Sequence, residues 1–146
     1  MPRYFTLDQA HRTLPHVEDA IRRAIGLKAE YQSSDEQIRE LTRRVMASGG
    51  MMLDREKFAG LKNAREEAAS AIQAAIEAVQ ELGCLVKDLD IGLLDFPTLY
   101  KGEEVYLCWR LGESRIEYWH GIEEGFGGRK PIDDEFLGNH RGDAVS

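Results

Sequence analysis

Apolar residues recur at helical spacing through the first third of the chain. One stripe keeps a seven-residue interval over four repeats: Val17, Ala24, Tyr31, Ile38 and Val45. A heptad pattern of this length is typical of a long amphipathic helix. Before it, Thr6 with Gln9 three residues later forms a capping box, which predicts a separate short helix that ends near Pro15. We therefore predict helices over residues 6–47.

A second apolar stripe follows the break at Gly49 and Gly50. Asp54 is placed to cap a helix over 54–82, and Gly83 to end it. If the two stripes face each other, all opposed residues have numbers that sum to 102 or 103, as for Ile38 and Arg65. This consistency predicts a long antiparallel helical hairpin, coiled-coil-like in its packing. The alanine-rich face of the second arm is too broad for one partner helix, which predicts a homodimer through the helices.

From Cys84 onward the apolar period changes from 3.6 to 2, which is typical of strands. Residues 84–90, 104–110 and 115–120 read as strands, and residues 91–97 as a loop that leads into a further short strand. Lys101–Gly102 reads as a turn. We predict an antiparallel sheet over 84–122 at the open end of the hairpin, hence an α+β fold. Residues 1–132 form a single domain in this interpretation, and residues 133–146, with few apolar side chains, form a flexible tail.

The strand pair within 105–120 allows a prediction of side-chain facing. If Gly112 and Glu113 form a tight turn, paired residues have numbers that sum to 225, and Trp109 shares a face with His120. This register groups the apolar positions of both strands: Val105, Leu107, Trp109, Ile116 and Tyr118. A slip of one residue would mix them with charged residues, so burial favours the first register. It places Cys108 on the face opposite His120, which argues against a Cys–His catalytic pair.

Composition and charge exclude two classes of binding partner, nucleic acid and membrane. The 146-residue chain has a net charge of −7, which provides no basic surface for nucleic acid. No segment approaches the roughly 20 apolar residues of a membrane span, and the first residues contain no apolar leader. The two cysteines, Cys84 and Cys108, are too few for a disulfide framework and indicate reduced thiols. We predict a cytoplasmic protein that binds neither nucleic acid nor membrane.

Two kinds of site are suggested by the polar residues of the sheet region. Arg110 and Arg129 are candidate ligands for an anion, since a guanidinium can form two hydrogen bonds to a carboxylate or phosphate. The competing interpretation pairs them with acidic neighbours. His120 and Glu123, three residues apart, could instead bind a divalent metal with Asp95 as a third ligand. Against this, the same residues could simply hydrogen-bond strand ends and turns.

Several segments of the chain resemble the Domain of Unknown Function 2203 family of small prokaryotic proteins. The resemblance covers residues 3 to about 132 and is carried by "YFTLDQAHRTLP", "VKDLDIGLLDFP", "VYLCWRLGE" and "YWHGIEEGFGGRKP". The family usually has Ala where this chain has Gly127. The resemblance implies no activity, cofactor or partner. It does imply a signature block that is richer in polar and aromatic residues than a core requires: Asp90, Asp95, Cys108, Trp109, Arg110, Glu113, Trp119, His120, Gly125, Phe126 and Arg129.

These observations favour a dimeric cytoplasmic binding or assembly module with a polar pocket for a small anionic ligand. Five residues would form the pocket: Asp95, Arg110, Glu113, His120 and Arg129. The alternative is a metal-dependent enzyme in which His120 and Glu123 bind the metal and Asp95 is a third ligand or a general base. A third interpretation assigns the signature residues to structure alone. The sequence names no reaction.

Overall fold

The chain folds into two long helices followed by an antiparallel sheet, and the computed structural model describes residues 3–50 and 54–143. The helices are α1, Leu7–Ala47; α2, Arg55–Glu81; and α3, Asp134–Asn139. The strands are β1, Leu85–Asp88; β2, Leu93–Tyr100; β3, Glu103–Arg110; β4, Tyr118–Gly121; β5, Lys130–Pro131; and β6, His140–Arg141. A short 3₁₀ helix covers Phe126–Gly128. The predicted α+β class is confirmed.

The described residues divide into two compact units. The sheet unit contains residues 3–22 and 76–143, and the helical unit contains residues 23–50 and 54–75. The prediction of a single domain over residues 1–132 stays a prediction. None of the helices that the structure describes is long and apolar enough to cross a membrane.

The start of α1 confirms the capping box. The backbone N–H of Gln9 donates to Thr6 Oγ1 (3.1 Å), and the backbone N–H of Thr6 donates to Gln9 Oε1 (2.9 Å). The separate short helix was a wrong prediction, because α1 continues through Pro15 to Ala47. A proline removes one helical hydrogen bond, but buried apolar side chains before and after Pro15 favour a continuous helix. In the sheet unit the buried stripe runs through Ala10, Leu14, Val17 and Ile21.

In the helical unit the two long helices pack together, and an ion pair links them. Arg65 on α2 donates to Asp35 on α1 over 2.8 Å, and both side chains are largely buried. Asp35 lies one turn before Ile38, the residue that the predicted register places opposite Arg65. The Lys57 N–H donates to Asp54 Oδ1 at the start of α2, which confirms the predicted cap.

The strands form one antiparallel sheet in the order β1-β2-β3-β4-β5. The short strand β6 pairs with the C-terminal end of β2, at Leu99 and Tyr100, whereas β1 pairs with its N-terminal end. The predicted turn at Lys101–Gly102 joins β2 to β3, and both residues have positive φ, 51° and 81°. Two such residues in succession form the hairpin turn that suits the twist of the flanking strands. The structure extends β2 back to Leu93, within the segment that the sequence predicts as a loop.

One face of the central strands forms the apolar core of the sheet unit. Leu94, Phe96 and Thr98 of β2 pair with Trp109, Leu107 and Val105 of β3, and all six are buried. Outside the sheet, Phe5 packs edge-on against Phe96 with ring centroids 5.4 Å apart. The opposite face of the same strands carries the polar side chains of Asp95 and Cys108, which are buried as well.

The predicted register between β3 and β4 is wrong by one residue. Tyr106 pairs with His120 and Cys108 with Tyr118, so paired numbers sum to 226. The reason lies in the connection, residues 111–117. Ile116 is buried there, outside β4, and its N–H donates to His11 Nε2 of α1 (2.9 Å). The predicted register relied on grouping Ile116 with the apolar residues of β3, and that grouping does not exist in the structure. In the observed register His120 shares a face with Cys108.

The described part of the predicted flexible tail, residues 133–143, carries secondary structure instead. Phe136 of α3 is fully buried, and its N–H donates to the Asp133 carboxylate that caps the helix (2.9 Å). Its ring lies 4.9 Å from the rings of both Tyr100 and Trp119. A single aromatic residue in a polar segment is a weak signal, so composition did not reveal this contact. Residues 144–146 lie outside the described part.

Phe136 anchors the C-terminal segment, so Phe136→Ala should lower the free energy of unfolding by about 3 kcal/mol or more, since it removes a buried aromatic side chain. Urea denaturation measures the change. The matched control is Leu137→Ala, because Leu137 is the next residue and is 43% exposed. Equal effects of the two substitutions would show that this segment does not stabilise the fold.

His11 should make stability depend on pH. Its Nε2 accepts a hydrogen bond, which requires the neutral ring, and burial together with the charge of Arg115 lowers its pKa. Below the ordinary histidine pKa of about 6.5 the unfolded chain therefore binds a proton that the folded chain excludes. Stability conferred by His11 is present above that value and is lost as the pH falls through it.

The measurement is the free energy of unfolding of wild type and His11→Gln between about pH 8 and about pH 5, a range that spans the ordinary histidine pKa of about 6.5. Glutamine keeps a hydrogen-bond acceptor but does not titrate. Wild type should lose stability relative to the variant as the pH falls, with the same comparison at exposed His16 as control. Parallel pH profiles for wild type and His11→Gln would contradict the assignment.

Candidate functional site

Three residues from adjacent strands converge on the polar face of the sheet: Asp95 of β2, Cys108 of β3 and His120 of β4. Asp95 pairs directly with Cys108, and His120 lies diagonally across from Cys108 on the next strand. The three residues are 1%, 0% and 4% exposed. One ligand atom of each lies within 4.8 Å of the ligand atoms of the other two. We call this group the Asp–Cys–His cluster.

Hydrogen bonds fix the orientation of the His120 ring. Its Nδ1 lies 2.8 Å from the carbonyl oxygen of Gly121, and its Nε2 lies 2.9 Å from Asp95 Oδ1. A carbonyl oxygen only accepts, so Nδ1 carries a proton. The hydrogen bond between Nε2 and Asp95 needs a further proton, which is carried either by Nε2 or by the Asp95 carboxyl group. The ring therefore presents Nε2, and not Nδ1, to the centre of the cluster.

Asp95 is incompletely bonded. Its Oδ2 is buried and has no hydrogen-bond partner among the described residues. The nearest cation is Lys87, whose Nζ lies 4.0 Å away, beyond hydrogen-bond distance. Buried polar oxygens almost always have a partner, so Asp95 Oδ2 is free to accept from a donor or to bind a cation.

Burial also controls the protonation of the two acidic groups. It raises the pKa of the Asp95 carboxyl group, while the hydrogen bond and charge of His120 oppose the rise. It raises the pKa of the Cys108 thiol to about 12, and the charge of Asp95 acts in the same direction. The thiol is therefore protonated at neutral pH and is a poor nucleophile by itself. A bound cation would favour the thiolate, because metal ligands must lose their protons.

Lys87 borders the cluster through a β-bulge. Val86 pairs with Leu94 and Asp88 with Leu93, so Lys87 is the extra residue of β1. Bulges of this kind redirect a side chain and are frequent beside active sites. The ammonium group lies 5.1 Å from the centre of the Tyr106 ring, and the side chain is 43% exposed. Lys87 thus connects the buried cluster with solvent.

Arg129 and Glu113 form a separate ion pair next to the backbone of Cys108. Arg129 Nη2 donates to both carboxylate oxygens of Glu113, at 2.6 and 2.9 Å, and makes a longer contact of 3.4 Å with the Cys108 carbonyl oxygen. The guanidinium carbon also lies over the rings of Tyr118 and Phe126, 4.2 and 4.7 Å from their centroids. The Arg129 charge is therefore already paired with a carboxylate of the protein itself.

The five residues predicted for an anion pocket fall into two groups in the structure. Asp95 bonds His120, and Glu113 bonds Arg129 and accepts from the backbone N–H of Arg110 (2.7 Å). The Arg110 side chain is exposed and lies 5.9 Å from the Phe126 ring. Two arginines converging on an empty space would favour an anion, and here one of the two is already paired.

The predicted metal ligands are brought together in part. Asp95 and His120 are in contact, but Glu123 is exposed and lies outside the Asp–Cys–His cluster. Its neighbour Glu124 instead accepts from the Gly121 N–H (2.9 Å). The third member of the cluster is Cys108, which the wrong register had placed on the opposite face. Its direct pairing with Asp95 was not readable from the sequence, where the start of β2 was unclear.

A groove of about 810 Å³ lies apart from the cluster, along the start of α1. Its lining includes acidic Asp8 and Glu18 as well as basic Arg12 and Arg115. These charges are of mixed sign, and the side chains of Asp8, Arg12 and Arg115 are exposed. The groove therefore indicates no particular ligand, whereas the buried cluster has a defined set of donor atoms.

Comparison with known proteins identifies a family without a described activity. The family model for an uncharacterized conserved protein (DUF2203) matches residues 3–132, and the chain belongs to this family. No curated protein and no solved structure matches the chain. All three residues of the Asp–Cys–His cluster lie within the matched part.

The Arg129–Glu113 pair should stabilise the fold through geometry as well as charge. Arg129→Lys keeps the charge but loses the contact of the planar guanidinium with the Tyr118 and Phe126 rings, so we expect a loss of about 1–2 kcal/mol in the free energy of unfolding. Chemical denaturation provides the measurement, with exposed Arg110→Lys as the matched control. A tolerance of Arg129→Lys equal to that of the control would show that the pair is dispensable.

Proposed function

We propose that this DUF2203 member is a metal-binding protein that holds a divalent transition metal, zinc in the first instance, at the Asp–Cys–His cluster. The observation that carries the proposal is the convergence of three buried donor atoms, from Asp95, Cys108 and His120, within 4.8 Å of one another. The partnerless Oδ2 of Asp95 adds to it, because a cation would satisfy that oxygen.

The donor types favour a transition metal over magnesium or calcium. A thiolate and an imidazole are ligands of zinc, copper and iron, whereas magnesium and calcium prefer oxygen donors alone. Zinc accepts sulfur, nitrogen and oxygen ligands in one tetrahedral site. The mixed set of Cys108, His120 and Asp95 fits this preference.

The surroundings of His120 support the same assignment. Histidine ligands of metals commonly donate their second ring N–H to a backbone carbonyl or a carboxylate, which fixes the tautomer. Here Nδ1 bonds the Gly121 carbonyl oxygen and leaves Nε2 directed at Asp95. A metal ion would replace the Cys108 thiol proton and the proton shared between Nε2 and Asp95.

The broader expectations remain proposals. A homodimer through the helices is supported by exposed apolar residues on α2: Ala64, Ala69, Ala74 and Ala78. A cytoplasmic location is supported by the two cysteines, Cys84 and Cys108, both of which are free thiols. The anion pocket built on Arg110 and Arg129 has less support than the metal site, because Arg129 is bonded to Glu113.

Titration with Co²⁺ tests the proposal, because a cobalt–thiolate bond produces an ultraviolet charge-transfer band. We expect the band in wild type, its loss in Cys108→Ala, and its retention in Cys84→Ala. Cys84 is a matched control, since it is equally buried and burial raises its thiol pKa to about 12 as well, but it lies outside the cluster. Circular dichroism of each variant confirms folding.

A further pair of variants addresses the remaining ligands. His120→Ala and Asp95→Asn should each weaken Co²⁺ binding by about tenfold or more, in line with the loss of a ligand. The proposal fails if wild type shows no thiolate band, or if Cys108→Ala and Cys84→Ala retain equal bands. In that case the cluster serves the packing of the sheet alone.

A further inference from the structure

We propose that the metal and Lys87 together bind the carboxylate group of a small molecule, so that the Asp–Cys–His cluster is a ligand site and not a closed structural one. This inference rests on the proposed metal site and extends it to a substrate class. The observation behind it is the position of Lys87 at the solvent-facing border of a cluster that supplies only three protein ligands.

The number of ligands leaves room for an external group. Structural zinc sites have four protein ligands, whereas sites that bind water or substrate have three. Among the His, Cys, Asp and Glu side chains that the structure describes, only those of Asp95, Cys108 and His120 lie close enough together to share a metal ion. A fourth ligand must therefore come from outside this set, and Lys87, as an ammonium group, cannot bind a metal.

Charge then selects the kind of group. A thiolate from Cys108 and a carboxylate from Asp95 carry two negative charges, which a divalent ion neutralises, while imidazole adds none. The ammonium of Lys87, 4.0 Å from Asp95 Oδ2, leaves one positive charge at the border. A single negative charge on the incoming group balances it, which favours a carboxylate over a phosphate dianion.

The hydrogen-bonding capacity of Lys87 agrees with this assignment. Its Nζ makes no hydrogen bond to any residue that the structure describes, and its contacts are the 4.0 Å approach to Asp95 and the face of the Tyr106 ring at 5.1 Å. An ammonium group only donates. A carboxylate oxygen has lone pairs for both a metal and an ammonium, so one carboxylate can bridge the two.

The experiment uses full-length protein loaded with Co²⁺ and titrated with acetate, with the visible spectrum of the metal as the readout. Acetate should change the spectrum saturably in wild type. Lys87→Met should retain Co²⁺ and weaken acetate binding by about tenfold or more, since it removes a hydrogen bond between charged groups. Lys87→Arg, which keeps the charge, should restore most of the affinity.

Lys101→Met is the matched control. Lys101 also lies over a tyrosine ring, that of Tyr100 at 5.2 Å, and near a carboxylate, that of Glu135 at 3.3 Å, but it has no contact with the cluster. It should leave acetate binding unchanged. Inorganic phosphate, titrated in parallel, should bind more weakly than acetate.

The outcomes separate the two proposals. If wild type binds no Co²⁺ through a thiolate, both the metal site and the carboxylate site are overturned. If Co²⁺ binds but acetate leaves its spectrum unchanged, or if Lys87→Met binds acetate as tightly as wild type, the metal site stands and the carboxylate inference is overturned. Tighter binding of phosphate than of acetate would likewise contradict the charge argument.

Discussion

The pairing of β3 with β4 places Tyr106 opposite His120 and Cys108 opposite Tyr118, and the polar face of the sheet depends on it. Side chains alternate between the two faces of a strand, so a slip of one residue would move His120 into the apolar core. The connection that follows β3 sets this pairing. Within it Ile116 is tied to His11, and the carbonyl oxygen of Glu113 accepts from Trp109 Nε1 over 3.0 Å.

The polar face stabilises the fold less than apolar residues would. Burying Asp95 and His120 removes both from water, and their mutual hydrogen bond satisfies only one of the two carboxylate oxygens. Behind them, Arg129 Nε also lacks a partner among the described residues. Buried polar groups with incomplete hydrogen bonding are costly. The proposed cation would satisfy the free Asp95 oxygen, but not the Arg129 Nε–H, which is a donor.

The exposed border of the cluster differs from its interior. Asp95, Cys108 and His120 are fixed by strand pairing, whereas Lys87 is held by a bulge and by the ring of Tyr106, with 43% of its side chain exposed. Three fixed donor atoms beside one partly exposed cation suit the proposed site, which admits a group from outside the protein. The ion pair of Arg129 with Glu113, on the other side, supports the β3–β4 connection and the 3₁₀ helix that contains Phe126.

Local signals predicted most of the fold. The capping box of Thr6 and Gln9, the Asp54 cap and the Lys101–Gly102 turn depend on neighbouring residues, and all three are confirmed. The α+β class and the family followed from periodicity and from the quoted segments.

The features that sequence reasoning missed depend on distant contacts. The continuity of α1 through Pro15 depends on burial at both sides, and the placement of the C-terminal segment depends on Phe136 meeting Tyr100 and Trp119. The register depends on Ile116 leaving the strand for the connection. Because of that displacement the predicted register placed Cys108 on the face opposite His120, so Cys108 was not among the residues predicted to bind a metal, which were His120, Glu123 and Asp95.

X-ray absorption at the zinc edge tests the central claim most directly, on protein expressed with zinc and purified without chelator. The account predicts about one zinc per chain, with one sulfur ligand at about 2.3 Å and the remaining nitrogen or oxygen ligands at about 2.0–2.1 Å. Zinc that is bound through nitrogen and oxygen alone, or protein that retains no zinc, would contradict it.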